Sequence, residues 1–124
     1  MSKIETFRDL RVWQKAHELV LNIYKVTQNL PQAEKFGLVS QVRRAVISVA
    51  SNIVEGFHRN SIKESLWFYN IAQAFLEEVK YQLLIAKDLS YVSLAIYQES
   101  LGIADQVGKM LHSWIGSQIK NSRA

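Results

Sequence analysis

Apolar residues recur every three or four positions along most of this chain, which is the spacing of one face of an α-helix. Only one of the 124 residues is a proline and five are glycines, so few positions would interrupt a helix. The clearest apolar row lies in the first half of the chain and consists of Leu38, Val42, Val46, Val49, Ile53 and Phe57. These patterns predict an all-α protein in which no strand is needed.

Capping signals and periodicity together divide the chain into four helices. Ser61 and Glu64 have the spacing of a capping box, which predicts that a helix begins there. Pro31 suits the first turn of the preceding helix, and Ser93 suits the N-cap of the last one. The predicted helices cover residues 9–28, 32–57, 62–88 and 94–120. Short connections between long helices predict an up-down-up-down antiparallel four-helix bundle, with residues 1–124 in a single domain.

In the third helix, a carboxylate interrupts the apolar row that we expect to face the core. The row consists of Trp67, Ile71, Ala74, Tyr81 and Ile85. Glu78 falls within this row, and an unpaired charge in a protein core is strongly destabilising. We therefore predict that Glu78 is buried and forms an ion pair with Arg43 or Arg44 across the bundle.

The fourth helix has two apolar rows, which is more than one seam of a bundle needs. They are Tyr97, Leu101, Ala104, Gly108, Leu111 and Ile115 in one row, and Ile103, Val107, Met110 and Trp114 in the other. We expect Gly102, Gly108 and Gly116 to allow a neighbouring backbone, of the same chain or of another, to approach closely. Because 48% of the residues are hydrophobic, self-association is the simplest way to cover the surplus apolar surface. The alternative is a thick core with a few exposed apolar residues.

Helically spaced polar residues on the second helix provide the main candidate site. Together with the third-helix glutamate, this set consists of Arg43, Arg44, Asn52, Glu55, Arg59 and Glu78. One interpretation is a structural network that fixes the register of the helices. The other is a polar pocket that presents these groups to a ligand or a partner.

The sequence contains no arrangement typical of a catalytic, cofactor or metal site. Cysteine is absent, which excludes catalytic thiols and thiolate metal sites. Glu55 and His58 have the Glu-x-x-His spacing of di-iron bundles, but His17 and His112 have no acid three residues before them. We predict that His58 is an exposed turn residue, and that the protein is not an enzyme and uses no cofactor or metal.

The chain is mildly basic, with 15 Lys and Arg residues against 11 acidic ones and a formal net charge of +4. Arg8, Arg11 and Lys15 have helical spacing and could face a nucleic acid, although a solvated helix face would look the same. We interpret Trp67 and Trp114 as core or interface residues rather than base-stacking platforms.

The N-terminal residues lack the apolar stretch of a signal peptide, and no run along the chain is long enough to span a bilayer. These features predict a cytoplasmic protein with no membrane partner.

Several motifs together resemble the bacterial four-helix-bundle proteins encoded in 23S rRNA intervening sequences. The motifs are Phe7-x-Asp-Leu-x-Val-Trp-Gln-x-Ala16, Leu30-Pro-x-x-Glu34, Phe36-Gly-Leu38, Gln41-x-Arg-Arg-Ala45, Asn52-Ile-x-Glu-Gly-x-x-Arg59, Ala72, Leu76-x-Glu78 and Leu89-x-Tyr91. The family's characteristic polar positions match Arg43, Arg44, Asn52, Glu55, Arg59 and Glu78, together with Gly56. Ala74-Phe75 stands where a Gly-Ser pair is more usual, which puts the local packing in doubt.

This resemblance implies a ring-like homo-oligomer, commonly a pentamer, with no enzyme activity and a largely unassigned role. The segment 107–115 is also similar to the last helix of the accessory variability protein of diversity-generating retroelements, a pentameric bundle that binds nucleic acid and a reverse transcriptase. The leading hypothesis is therefore an oligomeric accessory factor that binds RNA or DNA. A protein-interaction scaffold is the alternative hypothesis, and an enzyme comes third.

Overall fold

A computed structural model describes residues 3–122 as four long helices and two single turns of 3-10 helix. The long helices are α1 (Arg11–Thr27), α2 (Leu38–Phe57), α3 (Ile62–Asp88) and α4 (Leu94–Ser122), and the 3-10 turns are Phe7–Asp9 and Gln32–Glu34. Each long helix packs against its neighbours in sequence, and α4 packs against α1 to close the bundle. The predicted all-α, up-down-up-down antiparallel four-helix bundle is confirmed.

The predicted starts of the first two helices were too early. Leu10 has an extended backbone and separates the first 3-10 turn from α1. The second helix begins at Leu38 rather than at residue 32, because Pro31 starts only a 3-10 turn and the backbone of Gly37 is not helical. The Glu34 carboxylate accepts a hydrogen bond from the Leu38 N–H (3.2 Å) and satisfies one free donor at the new start.

The capping signals placed the starts of α3 and α4 correctly. The Ser61 hydroxyl oxygen accepts a hydrogen bond from the Glu64 N–H (3.2 Å), and the Ser93 hydroxyl oxygen accepts one from the Ile96 N–H (3.1 Å). The Glu64 carboxylate accepts a bond from the Ser61 hydroxyl (3.2 Å), instead of reaching the Ser61 backbone as it would in a complete capping box. Serine side chains therefore cap the N-termini of the two longest helices, α3 and α4.

The core contains four of the six residues in the row predicted for α2, whose end members Leu38 and Phe57 are half-buried, and one face of each other helix. From α2, Val42, Val46, Val49 and Ile53 are buried. Tyr69 of α3 is the largest fully buried side chain, and its ring lies directly against Gly56. A Cβ at Gly56 would overlap Tyr69 Cε1 and lie 2.7 Å from Cδ1, so this contact requires glycine. The end of α2 is thereby held close to α3.

The row predicted to bury α3 faces the opposite way. Trp67 is 68% exposed, Tyr81 is 63% exposed and Glu78 is exposed. The face that packs in the core is Tyr69, Ala72, Leu76, Val79, Leu83 and Ala86. Both rows have heptad spacing, so periodicity alone could not choose between them. The contact between the Tyr69 ring and Gly56 of α2 identifies the row that faces the core.

The three glycines of α4 do not all serve close packing within the bundle. No neighbouring atom in the described residues lies within 4 Å of a Cβ built at Gly102 or Gly116, so these two glycines allow no close approach within one copy of the chain. A Cβ at Gly108 would lie 3.4 Å from Leu76 Cδ2, so this glycine does face α3.

Polar contacts join each pair of neighbouring helices. They are Arg43–Thr27 (2.9 Å), Ser65–Gly56 (2.7 Å), Lys80–Asp105 (3.1 Å) and Ser100–Asn22 (2.6 Å). No helix among residues 3–122 is both long and apolar enough to cross a membrane.

Candidate nucleic-acid interface

An open cationic groove lies where the end of α1 meets the beginning of α2. Its volume is about 530 Å³. It is lined by Tyr24, Lys35, Phe36, Val39, Ser40, Arg43, Arg44, Ile47 and Ser48. Three of these side chains are cationic, and none of the lining residues within 3–122 is acidic. We call this feature the α1–α2 groove.

The guanidinium group of Arg43 is held in a defined orientation. Its Nε donates to the Thr27 hydroxyl oxygen (2.9 Å), and its Nη2 donates to the Tyr24 carbonyl (3.3 Å). The guanidinium carbon also lies 4.4 Å from the centre of the Tyr24 ring. The Thr27 hydroxyl donates in turn to the Ile23 carbonyl (2.7 Å). An arginine has five N–H donors, so about three remain free for an anion.

Lys35 and Arg44 are both exposed in the groove. No ion pair involves Lys35, Arg43 or Arg44 in the part of the chain that the structure describes. The neighbouring acid Glu34 is occupied, because one carboxylate oxygen accepts from the Leu38 N–H and the other from the Tyr91 hydroxyl (3.0 Å). This bond to Glu34 is the main reason that the pKa of Tyr91 is raised. Glu34 keeps its own charge, but it forms no ion pair with the three cations of the groove in the described structure.

A large aromatic ring stands beside these cations. Phe36 is 89% exposed, and Lys35 Nζ lies 5.5 Å from the centre of its ring. Ile47, which is 42% exposed, adds a second apolar side chain to the groove. The α1–α2 groove thus combines cationic side chains with solvent-exposed apolar side chains.

The structure does not bring the predicted polar residues into one network. Asn52 donates to the Ser48 carbonyl (2.7 Å), one turn earlier on α2. Glu55 forms an ion pair with Arg59, whose guanidinium carbon also lies 4.6 Å from the centre of the Phe68 ring. These contacts are local, and only Arg43 and Arg44 belong to the α1–α2 groove.

The predicted ion pair of Glu78 with Arg43 or Arg44 is wrong. Glu78 is exposed on α3 and accepts a hydrogen bond from Gln82 (3.3 Å) on the same helix. Because its carboxylate lies in solvent, Glu78 needs no buried partner.

The candidate row Arg8, Arg11 and Lys15 is divided by the break before α1. Arg8 belongs to the 3-10 turn, where its guanidinium carbon lies 5.9 Å from the centre of the Phe7 ring. Arg11 lines a different groove, between α1 and α4. Lys15 forms an ion pair with Glu18 (2.9 Å). The three cations therefore have different surroundings.

Sequence reasoning missed the contributions of Lys35, Phe36 and Thr27 to the groove. Lys35 and Phe36 lie in the segment between helices, where helical periodicity says nothing about direction. Thr27 continues the apolar row of α1, so its position predicted burial but not its bond to Arg43. An apolar residue next to a lysine, just outside a helix, was the available signal.

His58 is exposed at the C-cap of α2, as predicted. Its ring contacts Phe7 and Phe57 in edge-to-face geometry, with centroid distances of 6.2 and 5.3 Å. Within residues 3–122, no group of three or more His, Asp or Glu side chains is arranged to hold a metal ion.

Comparisons with known proteins give the family of the chain. No curated protein matches the sequence. The crystal structure of a protein of unknown function from the S23 ribosomal protein family of Bacteroides thetaiotaomicron has the same fold, with a TM-score of 0.78. The two chains are 24% identical, and the match covers 85% of this chain and 95% of the other. The sequence model of the 23S rRNA-intervening sequence protein family matches residues 8–113, and the chain belongs to that family.

Proposed function

We propose that this protein is a non-enzymatic, homo-oligomeric accessory factor that binds RNA or DNA in the cytoplasm through the α1–α2 groove. The observation that carries the proposal is the cluster of Lys35, Arg43 and Arg44 in a groove whose described lining has no carboxylate. Phosphate groups are the ligand that such a cluster fits best, because charge-assisted hydrogen bonds to phosphate are strong and release counterions.

The orientation of Arg43 supports a phosphate ligand. A guanidinium that is already fixed by Thr27 and Tyr24 loses little side-chain entropy when an anion binds. Arg44 and Lys35 can then move onto neighbouring phosphates, since both are exposed.

The outer face of α3 supports self-association. Trp67, Ile71, Ala74, Glu78, Tyr81 and Ile85 occupy the a and d positions of a heptad repeat and point away from the core. An apolar seam of this kind is typical of a surface that another helix covers. A homo-oligomer, with a pentamer favoured by the resemblance, would repeat the α1–α2 groove and let several weak sites bind one nucleic acid.

Binding of a fluorescently labelled, structured RNA tests the proposal. The double variant Lys35→Gln/Arg44→Gln removes two exposed cations and should weaken binding at low salt by about tenfold or more. Lys63→Gln/Lys120→Gln is the matched control, because both lysines are exposed and lie outside the groove. Equal losses in the two double variants, or no binding by the wild type, would contradict the proposal.

A protein-interaction scaffold is the second candidate, and the exposure of Trp67 and Tyr81 favours it. In that case the outer face of α3 captures a different protein and the positive charge only aids solubility. A pull-down with the wild type and with Trp67→Ala distinguishes the two. One protein partner that depends on Trp67, without bound nucleic acid, would support the scaffold.

A further inference from the structure

We infer that the α1–α2 groove binds an unpaired nucleotide, whose base stacks on the Phe36 ring while its phosphates contact the cations. This inference rests on the proposed function and specifies the form of nucleic acid that the groove takes. It starts from the one aromatic side chain of the groove that has a free ring face.

The two aromatic rings of the groove differ in availability. The Tyr24 ring already lies against the Arg43 guanidinium, at 4.4 Å from the ring centre. Phe36 is 89% exposed, and Lys35 Nζ lies 5.5 Å from the centre of its ring, farther than the guanidinium carbon lies from the Tyr24 ring. An aromatic ring with this exposure contributes little to the core of the bundle. The exposed face of the Phe36 ring can therefore stack against a flat aromatic group.

Charge and shape together favour a single nucleotide over a duplex. The bases of a duplex are stacked on each other and present only their edges, so phenylalanine reaches a base face there only if a base step is first unstacked, which costs free energy. An unpaired base exposes its face and can stack on an aromatic ring regardless of its identity. The groove, at about 530 Å³, has room for one nucleotide.

Lys35 and Arg43 can contact the phosphates of that nucleotide, because both line the same groove as Phe36. Lys35 directly precedes Phe36, so its ammonium group and the ring belong to the same surface. Arg43 lines the same groove with about three free N–H donors after its bonds to Thr27 and Tyr24. Phenylalanine has no hydrogen-bonding group, so this site should read the absence of pairing rather than the sequence.

The test compares an unstructured single-stranded RNA with a hairpin of the same length and composition whose two strands are joined by a non-nucleotide linker, so that every base is paired. The wild type should bind the single strand more tightly. Phe36→Ala should weaken single-strand binding about 5- to 100-fold, as expected for the loss of one stacked base, and leave hairpin binding unchanged within twofold. Phe36→Trp should restore it. A base analogue whose fluorescence is quenched by stacking should lose that quenching in Phe36→Ala.

Leu94→Ala is the control, since it removes an exposed apolar side chain that lies outside both the α1–α2 groove and the outer face of α3. It should leave the ratio of single-strand to hairpin affinity unchanged. Equal effects of Phe36→Ala on both RNAs would overturn the inference while leaving the proposed function intact. Wild-type protein that binds neither RNA would overturn both. A change in oligomer mass in Phe36→Ala, measured by light scattering, would place the ring between copies of the chain and overturn the inference.

Discussion

The Nε of Arg43 lies 2.9 Å from the hydroxyl oxygen of Thr27, and this bond joins the start of α2 to the last turn of α1. Thr27 is buried at the end of the apolar row of α1, where a purely apolar residue would satisfy packing. Its hydroxyl instead orients the guanidinium group towards the groove. Packing of the bundle and presentation of a cation therefore depend on the same side chain.

Thr27→Val tests this relationship. Valine keeps the shape of threonine but removes the acceptor for Arg43, so we expect a loss of about 1–2 kcal/mol in the free energy of unfolding. RNA binding should also weaken, because Arg43 is no longer held in place. Chemical denaturation and an RNA binding curve measure the two effects. Thr27→Ser, which retains the hydroxyl, should keep the affinity of the wild type. Equal affinities for the serine and valine variants would show that Arg43 needs no such support.

Gly56→Ala should destabilise the bundle by about 1–3 kcal/mol, because the added methyl group overlaps the buried Tyr69 ring. Gly102→Ala is the matched control on α4, since none of the described atoms approaches within 4 Å of its Cβ position. That variant should gain about 0.5–1 kcal/mol from helix propensity. Thermal unfolding of both variants provides the comparison. A stabilised Gly56→Ala protein would mean that the ring of Tyr69 is not packed against α2.

Glu78→Ala should change the free energy of unfolding by less than about 0.5 kcal/mol, because the carboxylate is exposed and bonds only to Gln82 in the described structure. Chemical denaturation measures this change. A loss of several kcal/mol in the free energy of unfolding would contradict the exposed position of Glu78 and support the buried ion pair predicted from the sequence.

Glu78→Leu tests the outer face of α3 as an association surface. Leucine would complete an apolar heptad seam between Ala74 and Tyr81, so we expect the protein to assemble at a lower concentration. Trp67→Ala should shift assembly to a higher concentration. Light scattering over a dilution series measures both shifts. Identical dilution curves for the wild type and both variants would exclude this face from the assembly.

The sequence was sufficient to predict those helix starts that a local capping residue marks and the core residues that a clear apolar row marks. Ser61 and Ser93 fixed helix starts because a short side chain can satisfy a backbone donor at only one position. Val42, Val46, Val49 and Ile53 were placed in the core because they form an unbroken apolar row along α2. The family resemblance also held, since the family model spans residues 8–113.

Predictions failed on α3, where two apolar rows have the same spacing, and between α1 and α2, where residue spacing does not predict the direction of side chains. On α3, the rows containing Trp67 and Tyr69 have the same period, and only the contact of Tyr69 with Gly56 distinguishes them. That error led directly to the wrong partner for Glu78. Phe36 and Lys35 lie between helices, so their place beside Arg43 depends on how α1 meets α2. The relative position of these two helix ends is set by the packing of the folded bundle, so local sequence does not predict it.

The salt dependence of RNA affinity tests the central claim most directly. Each phosphate contact contributes about 0.7 to 0.9 to the slope of log affinity against log salt concentration. Lys35→Gln/Arg44→Gln should therefore reduce the magnitude of the wild-type slope by about 1.4 to 1.8, while Lys63→Gln/Lys120→Gln leaves it unchanged. A slope that stays the same without Lys35 and Arg44 would contradict the assignment of the α1–α2 groove as the nucleic-acid site.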